Sequence, residues 1–193
     1  MMMAALLTVS VPASAQQRKA AKKSTTTAAK KTASRKKTTS QPVTIQMDEP
    51  CIAGGAIAFN GIPITLSEAE MASELTSQGF KLKKDENGYK QWYGKAFGVE
   101  GKVGIDTNPA RVYFTEQKFY KKAQARKRVL AYKDAFEELS GCTASENTTG
   151  WNNDEGGMVK IPINSGYIEI RYDNCDEVEF SSDDYILRII YSE

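Results

Sequence analysis

Over residues 42–193 apolar positions recur every second residue in several short runs, and every three to four residues in two longer ones. Period two reads as half-buried strands and period 3.6 as amphipathic helices, so both kinds of element are expected in one domain. The best-specified element is the first helix. Ser67 is an N-cap, Glu70 completes Ser-x-x-Glu, and Leu66 is placed to staple onto Met71. Gly79 supplies the left-handed position after the helix, with Phe80 covering Leu75. These signals predict a helix over Glu68–Gln78. The second helix is predicted over Lys121–Leu139, where Val129, Tyr132, Phe136 and Leu139 form one apolar face, and it stops at Gly141.

The strands are bounded by turn residues. Cys51–Phe59 reads as a Gly-weakened first strand before the Asn60-Gly61 turn. Phe80–Lys84 and Tyr89–Phe97 flank Asn87-Gly88, a pair suited to the positive φ angles of a hairpin. Val103–Asp106 and Ala110–Thr115 read as a second hairpin across Thr107-Asn108-Pro109. Met158–Ile163 and Tyr167–Tyr172 form a third across Asn164-Ser165-Gly166, and Tyr185–Tyr191 closes the domain. The expected fold class is α+β, with two helices packed on one face of an antiparallel sheet. The order also reads, loosely, as one helix-plus-strands unit used twice.

Residues 1–15 change the picture of where this domain works. They form a short apolar stretch, without Lys or Arg, that ends in Ala13-Ser14-Ala15, the small-x-small pattern of a cleaved signal peptide. Residues 16–41 follow with nine Lys or Arg, no acid and no aromatic. Such a segment cannot bury enough apolar surface to offset its ordering entropy, and a basic disordered tether is expected. Nine of the 26 cations lie there, which leaves 17 against 24 acids, or about −7 for residues 42–193. These 152 residues suit a single domain. No apolar run approaches the roughly 20 residues of a membrane-spanning helix, so the mature chain is expected to be soluble or peripheral, and the leader gives the periplasm or the exterior as its expected location.

The inventory of side chains removes much chemistry. The chain has no histidine, which excludes Ser-His and Cys-His nucleophile pairs and imidazole acid–base work. Three separated cysteines give no CxxC, and the phosphate-loop signatures are absent. No cofactor or metal is expected. Ser34-Arg35-Lys36-Lys37 has the Ser-x-x-Lys spacing but sits in the tether without a scaffold. The acids of Asp173–Glu179 read as a charged loop beside an edge strand, because calcium needs six to eight converging oxygens.

Four groups of residues stand out as candidate sites. Lys118, Lys122 and Arg126 stack like charges at the start of the second helix, against its dipole, and suggest an anion-binding patch, with internal pairing to the domain's own acids as the other explanation. Tyr89 and Tyr93 share one strand face and Trp92 takes the other, so the two tyrosines are candidates for stacking on a ligand. Cys142 and Cys175 lie at element ends that can approach within disulfide reach, and closing a loop of about 34 residues would contribute roughly 3–4 kcal/mol. Pairing of Cys51 with either is the competing connectivity. The tether itself is the expected contact to anionic polymers or lipids, through salt-sensitive counter-ion release.

Phe59-Asn60-Gly61-Ile62-Pro63-Ile64, then Leu75 and Gly79-Phe80, then hairpins and a Tyr132/Phe136/Leu139 helix, resemble short secreted bacterial proteins of unknown function. Over about residues 57–140 the pattern also looks loosely like the helix-plus-antiparallel-sheet modules of outer-membrane-assembly lipoproteins of the SmpA/OmlA type and of β-lactamase-inhibitor proteins. No cysteine stands at the leader cleavage site, so a lipid anchor is not implied. Three functions stay open. The first is a non-catalytic envelope module that binds a protein or a surface glycan through its sheet. The others are a hydrolase using paired carboxylates and a basic-tailed nucleic-acid-binding protein.

Overall fold

A computed structural model describes residues 43–47, 49–84, 87–147, 156–164, 166–174 and 184–193. The leader, the tether with Ser34 and Lys37, Cys175 and most of the acidic loop lie outside the described residues.

The chain opens with three short strands, β1 (Ile52–Ala53), β2 (Ala56–Phe59) and β3 (Ile62–Pro63), paired in that order as a small antiparallel sheet. Helix α1 (Glu68–Ser77) follows, then β4 (Lys81–Lys84), β5 (Lys90–Ala96), β6 (Val99–Thr107) and β7 (Ala110–Lys121). Helix α2 (Lys122–Ser140) leads into β8 (Ser145–Asn147), β9 (Gly156–Ile163), β10 (Gly166–Asn174) and β11 (Asp184–Ser192). The eight long-sheet strands lie in the order β4-β5-β6-β7-β11-β10-β9-β8, all neighbours antiparallel. The fold is α+β, with both helices on one face of an antiparallel sheet. It contains two units of one helix and a four-strand meander, joined last strand to last strand at β7 and β11.

The alternation of side chains explains why only one face is covered. Trp92, Val103, Phe114, Ile189, Ile170 and Val159 stand opposite one another on successive strands, and all are buried. Val112, Tyr191, Ile168 and Ile161 form a second buried row. Helix α2 lowers Val129, Tyr132 and Phe136 onto this surface, and α1 adds Met71 and Leu75. An aromatic cluster knits the layers: the Phe97 ring lies 5.4 Å from Phe114, 5.5 Å from Tyr132 and 6.0 Å from Phe136. Edge-to-face contacts of this kind contribute about 0.5–1.5 kcal/mol each beyond their buried area.

The α1 signals hold in detail. Ser67 and Glu70 form the capping box, and Phe80 N–H donates to the Leu75 carbonyl beyond Gly79 at φ +88°. Four expectations need correction. Cys51–Phe59 is not one strand, because Gly54 and Gly55 at φ +60° and +85° fold it into the β1–β2 hairpin. Strands β5 and β6 meet at a two-residue turn in which Phe97 itself has φ +56°, a strained conformation for a bulky residue that its buried ring contacts offset. β8 adds a strand that the sequence pattern did not mark. Finally β7 continues to Lys121, since Phe119, Tyr120 and Lys121 pair with Ile186, Tyr185 and Asp184 beyond a bulge.

Candidate binding face

The second face of the large sheet has neither helix upon it. Along it, perpendicular to the strands, stand Lys81, Tyr93, Lys102, Thr115, Arg188, Arg171 and Met158, in the register of β4, β5, β6, β7, β11, β10 and β9. A second line runs through Tyr113, Ile190, Glu169 and Lys160, and a third through Asp106, Arg111, Ser192 and Tyr167. Except for Thr115 and Ser192 these residues are half-buried or exposed, as side chains on an uncovered sheet must be.

The face is cationic although the domain is not. Lys81, Lys83, Lys95, Lys102, Arg111, Lys121, Lys160, Arg171 and Arg188 point to it, against Glu100, Asp106, Glu169, Asp173 and Asp184, a balance of nine to five among the described residues. Lys121 is paired with Asp184, and Arg171 holds Asp173 at 2.8 Å. Lys81, Lys83, Lys95, Lys102, Lys160 and Arg188 form no ion pair with a described residue. Some of these ammonium groups lie on aromatic rings: Lys83 sits 4.6 Å from the centre of Tyr93 and Lys160 3.3 Å from that of Tyr167. Tyr113 donates to Asp106 at 2.6 Å, and burial first, then that bond, raises its phenol above the usual range.

At one end the face sinks into an open depression of about 460 Å³, lined by Lys81, Lys83, Tyr93, Lys95, Glu100 and Gln117. Tyr93, singled out from its alternation with Trp92, is therefore the aromatic floor of a lysine-rimmed trough. Tyr89 precedes β5 and is 70% exposed, outside that lining.

The proposed patch on helix two is rearranged. Lys118 is a β7 residue, so it cannot stack on Lys122 and Arg126 along a helical face; its ammonium lies 5.4 Å from the Tyr120 ring. Lys122 and Arg126 stay together on the first turns of α2, near Tyr172, whose buried hydroxyl has no hydrogen-bond partner among the described residues. Cys51 is a buried free thiol, pushed above its usual range chiefly by burial. Cys142 is half-buried just after α2 and forms no disulfide with a described cysteine, while its expected partner Cys175 lies outside the described residues.

A buried ionic cluster escaped the sequence reading. At the β7 bulge the Glu116 side chain is fully buried, and Arg128 Nε donates to both its oxygens at 2.7 and 2.8 Å. Tyr132 donates to Oε1 at 2.6 Å, and Tyr120 donates to Oε2. Burial first and the Glu116 carboxylate next hold both phenols far above the usual tyrosine range, so they stay neutral donors. The signal was present: Glu116 keeps the inward parity of Val112 and Phe114, and Arg128 precedes Tyr132 by one helical turn. Among the described residues Glu116 is the one buried acid, and both its oxygens are occupied. That arrangement holds α2 to the sheet; a carboxylate so engaged is poorly placed to exchange protons with a substrate.

No family model, curated protein or solved structure matches the chain. Function must therefore be argued from these side chains.

Proposed function

We propose that this is an exported cell-envelope module that binds rather than converts its partner, an envelope protein or glycan, on the open face of the large sheet. The observation that carries the reading is the contrast between the two faces. One is closed by both helices and an aromatic core; the other presents, over seven strands, half-exposed tyrosines and cations that form no ion pair with a described residue. An ammonium without an acid beside it keeps its charge available, which suits recognition of an external anionic group. Export is supported by the Ala13-Ser14-Ala15 leader pattern. An oxidising compartment then makes a Cys142–Cys175 disulfide part of the same proposal. Non-reducing peptide mapping of the exported chain decides it, and a cross-link from Cys51 would overturn it.

The binding face is tested with a photo-crosslinking residue placed at Tyr93 or Tyr167, and at exposed Glu74 on α1 as the control, in cells that export the chain. Adducts at the two sheet positions and none at Glu74 are expected. Equal labelling at all three, or labelling at Glu74 alone, would remove the open face as the docking surface.

A further inference from the structure

We propose that the open face takes a linear acidic polysaccharide, laid across the strands along Lys81, Tyr93, Lys102, Thr115 and Arg188. This deepens the reading of that face as a docking surface and rests on it.

The spacing is the first argument. On this line cations occupy β4, β6 and β11, each two strands from the next, with the half-exposed Tyr93 and the small, buried Thr115 on the strands between. Neighbouring strands lie about 4.8 Å apart, so the cations recur roughly every 10 Å. A sugar chain with a carboxylate on alternate rings offers a similarly sparse charge. Duplex DNA carries one charge per about 1.7 Å of its axis, far denser than this row can neutralise.

Chemistry supports the same choice. The Tyr93 ring is half-exposed at the floor of the trough, with Lys83 on it and Lys81 and Lys95 at the rim. An apolar ring beside an ammonium suits a pyranose, whose C–H face stacks while its carboxylate meets the charge. Among the described residues the face carries nine cations to five acids, an excess of positive charge that suits an anionic chain. Lys102 and Arg188 have no acid among the described residues to compete with a ligand.

The experiment uses the full chain with hyaluronate, which bears a carboxylate on alternate rings. Because the tether is basic, binding is measured in a background where its nine Lys and Arg are replaced by Gln. In that background hyaluronate should still bind, and its methyl ester should not. Lys81→Gln with Lys102→Gln and Arg188→Gln should weaken binding at least about tenfold, given the modest contribution of each exposed charge pair. An unchanged urea midpoint checks that this variant folds, and Lys81→Gln alone, at an exposed edge position, serves if it does not. Retention of parental affinity by these variants overturns the proposal. So does tighter binding of a single-stranded oligonucleotide or of anionic vesicles through the same residues. If hyaluronate fails while crosslinks at Tyr93 and Tyr167 persist, the docking face stands and the glycan falls; loss of both removes the face itself.

Discussion

Replacing Glu116 by Gln tests the claim that the buried ionic cluster fastens α2 to the sheet. The amide keeps the shape of the carboxylate but removes its charge, which leaves Arg128, with 10% of its side chain exposed, without an acid. Breaking one partner of such a pair costs about 3–5 kcal/mol, because the remaining ion stays desolvated and uncompensated. That is a large share of the roughly 5–15 kcal/mol by which domains of ordinary size are stable. With a urea dependence of about 2 kcal/mol per molar, the unfolding midpoint should fall by roughly 1.5–2.5 M. In a Tyr120→Phe/Tyr132→Phe background, which strands no buried hydroxyl, replacing both ions with apolar residues, Glu116→Leu with Arg128→Met, removes the uncompensated charge, and the double variant should lie within about 2 kcal/mol of that background. The single variants Glu116→Leu and Arg128→Met, made in the same background, form with the double a cycle whose coupling is read from urea unfolding followed by circular dichroism. A loss below about 1 kcal/mol in Glu116→Gln, or a double variant as unstable as the single, would refute the reasoning.

Further tests address packing, ionisation and capping. Gly101→Ala would set a Cβ 2.2 Å from the Phe114 ring and 2.9 Å from the Thr115 carbonyl, so a loss of about 1–3 kcal/mol is expected in thermal or urea unfolding. Tyr120 and Tyr132 have folded pKa values above the ordinary 10, so the stability they lend is present below pH 10 and declines as the pH rises beyond it. Tyrosinate absorbance from these two should accordingly appear only with loss of the native circular dichroism. Ser67→Ala removes the α1 cap and should cost about 0.5–2 kcal/mol. The Ser67 hydrogen bonds lower the Glu70 carboxyl below its usual 4.5, so the capping contribution is complete above that pH and lost as the pH falls through the lower folded value. A parental acid-unfolding curve in Ser67→Ala would contradict this coupling.

What could be read from the sequence was what local chemistry decides. Caps, stops and the Asn-Gly turn depend on a few neighbouring residues, and α1, α2 and most strands lie where their periodicity placed them. The misses have one physical origin, since each depends on a partner distant in the chain. β7 runs on through Phe119 and Tyr120 because β11 offers Ile186 and Tyr185. Phe97 holds a left-handed turn because four rings receive its side chain. Of the candidate site, the alternation of Tyr93 with Trp92 was legible. The cationic row was not, because its members come from five strands and are neighbours only after the sheet forms. Arg128 looks like one more surface cation of a basic helix, yet one turn from Tyr132 it faces Glu116 indoors.

The join of β7 to β11 also has a mechanical consequence. Among the described residues every other long-sheet pairing links strands adjacent in sequence, whereas this seam links residues some 70 positions apart and joins the two meanders. Load applied to pull one meander from the other would converge on its ladder, and its closure is the slow, entropically expensive encounter in assembling the sheet. A chain cut between Ser140 and Ser145 would leave each fragment with a bare edge of the same hand. Reassociation of the fragments would have to choose between restoring the native seam and matching like edges, β7 with β7 or β11 with β11, across two copies.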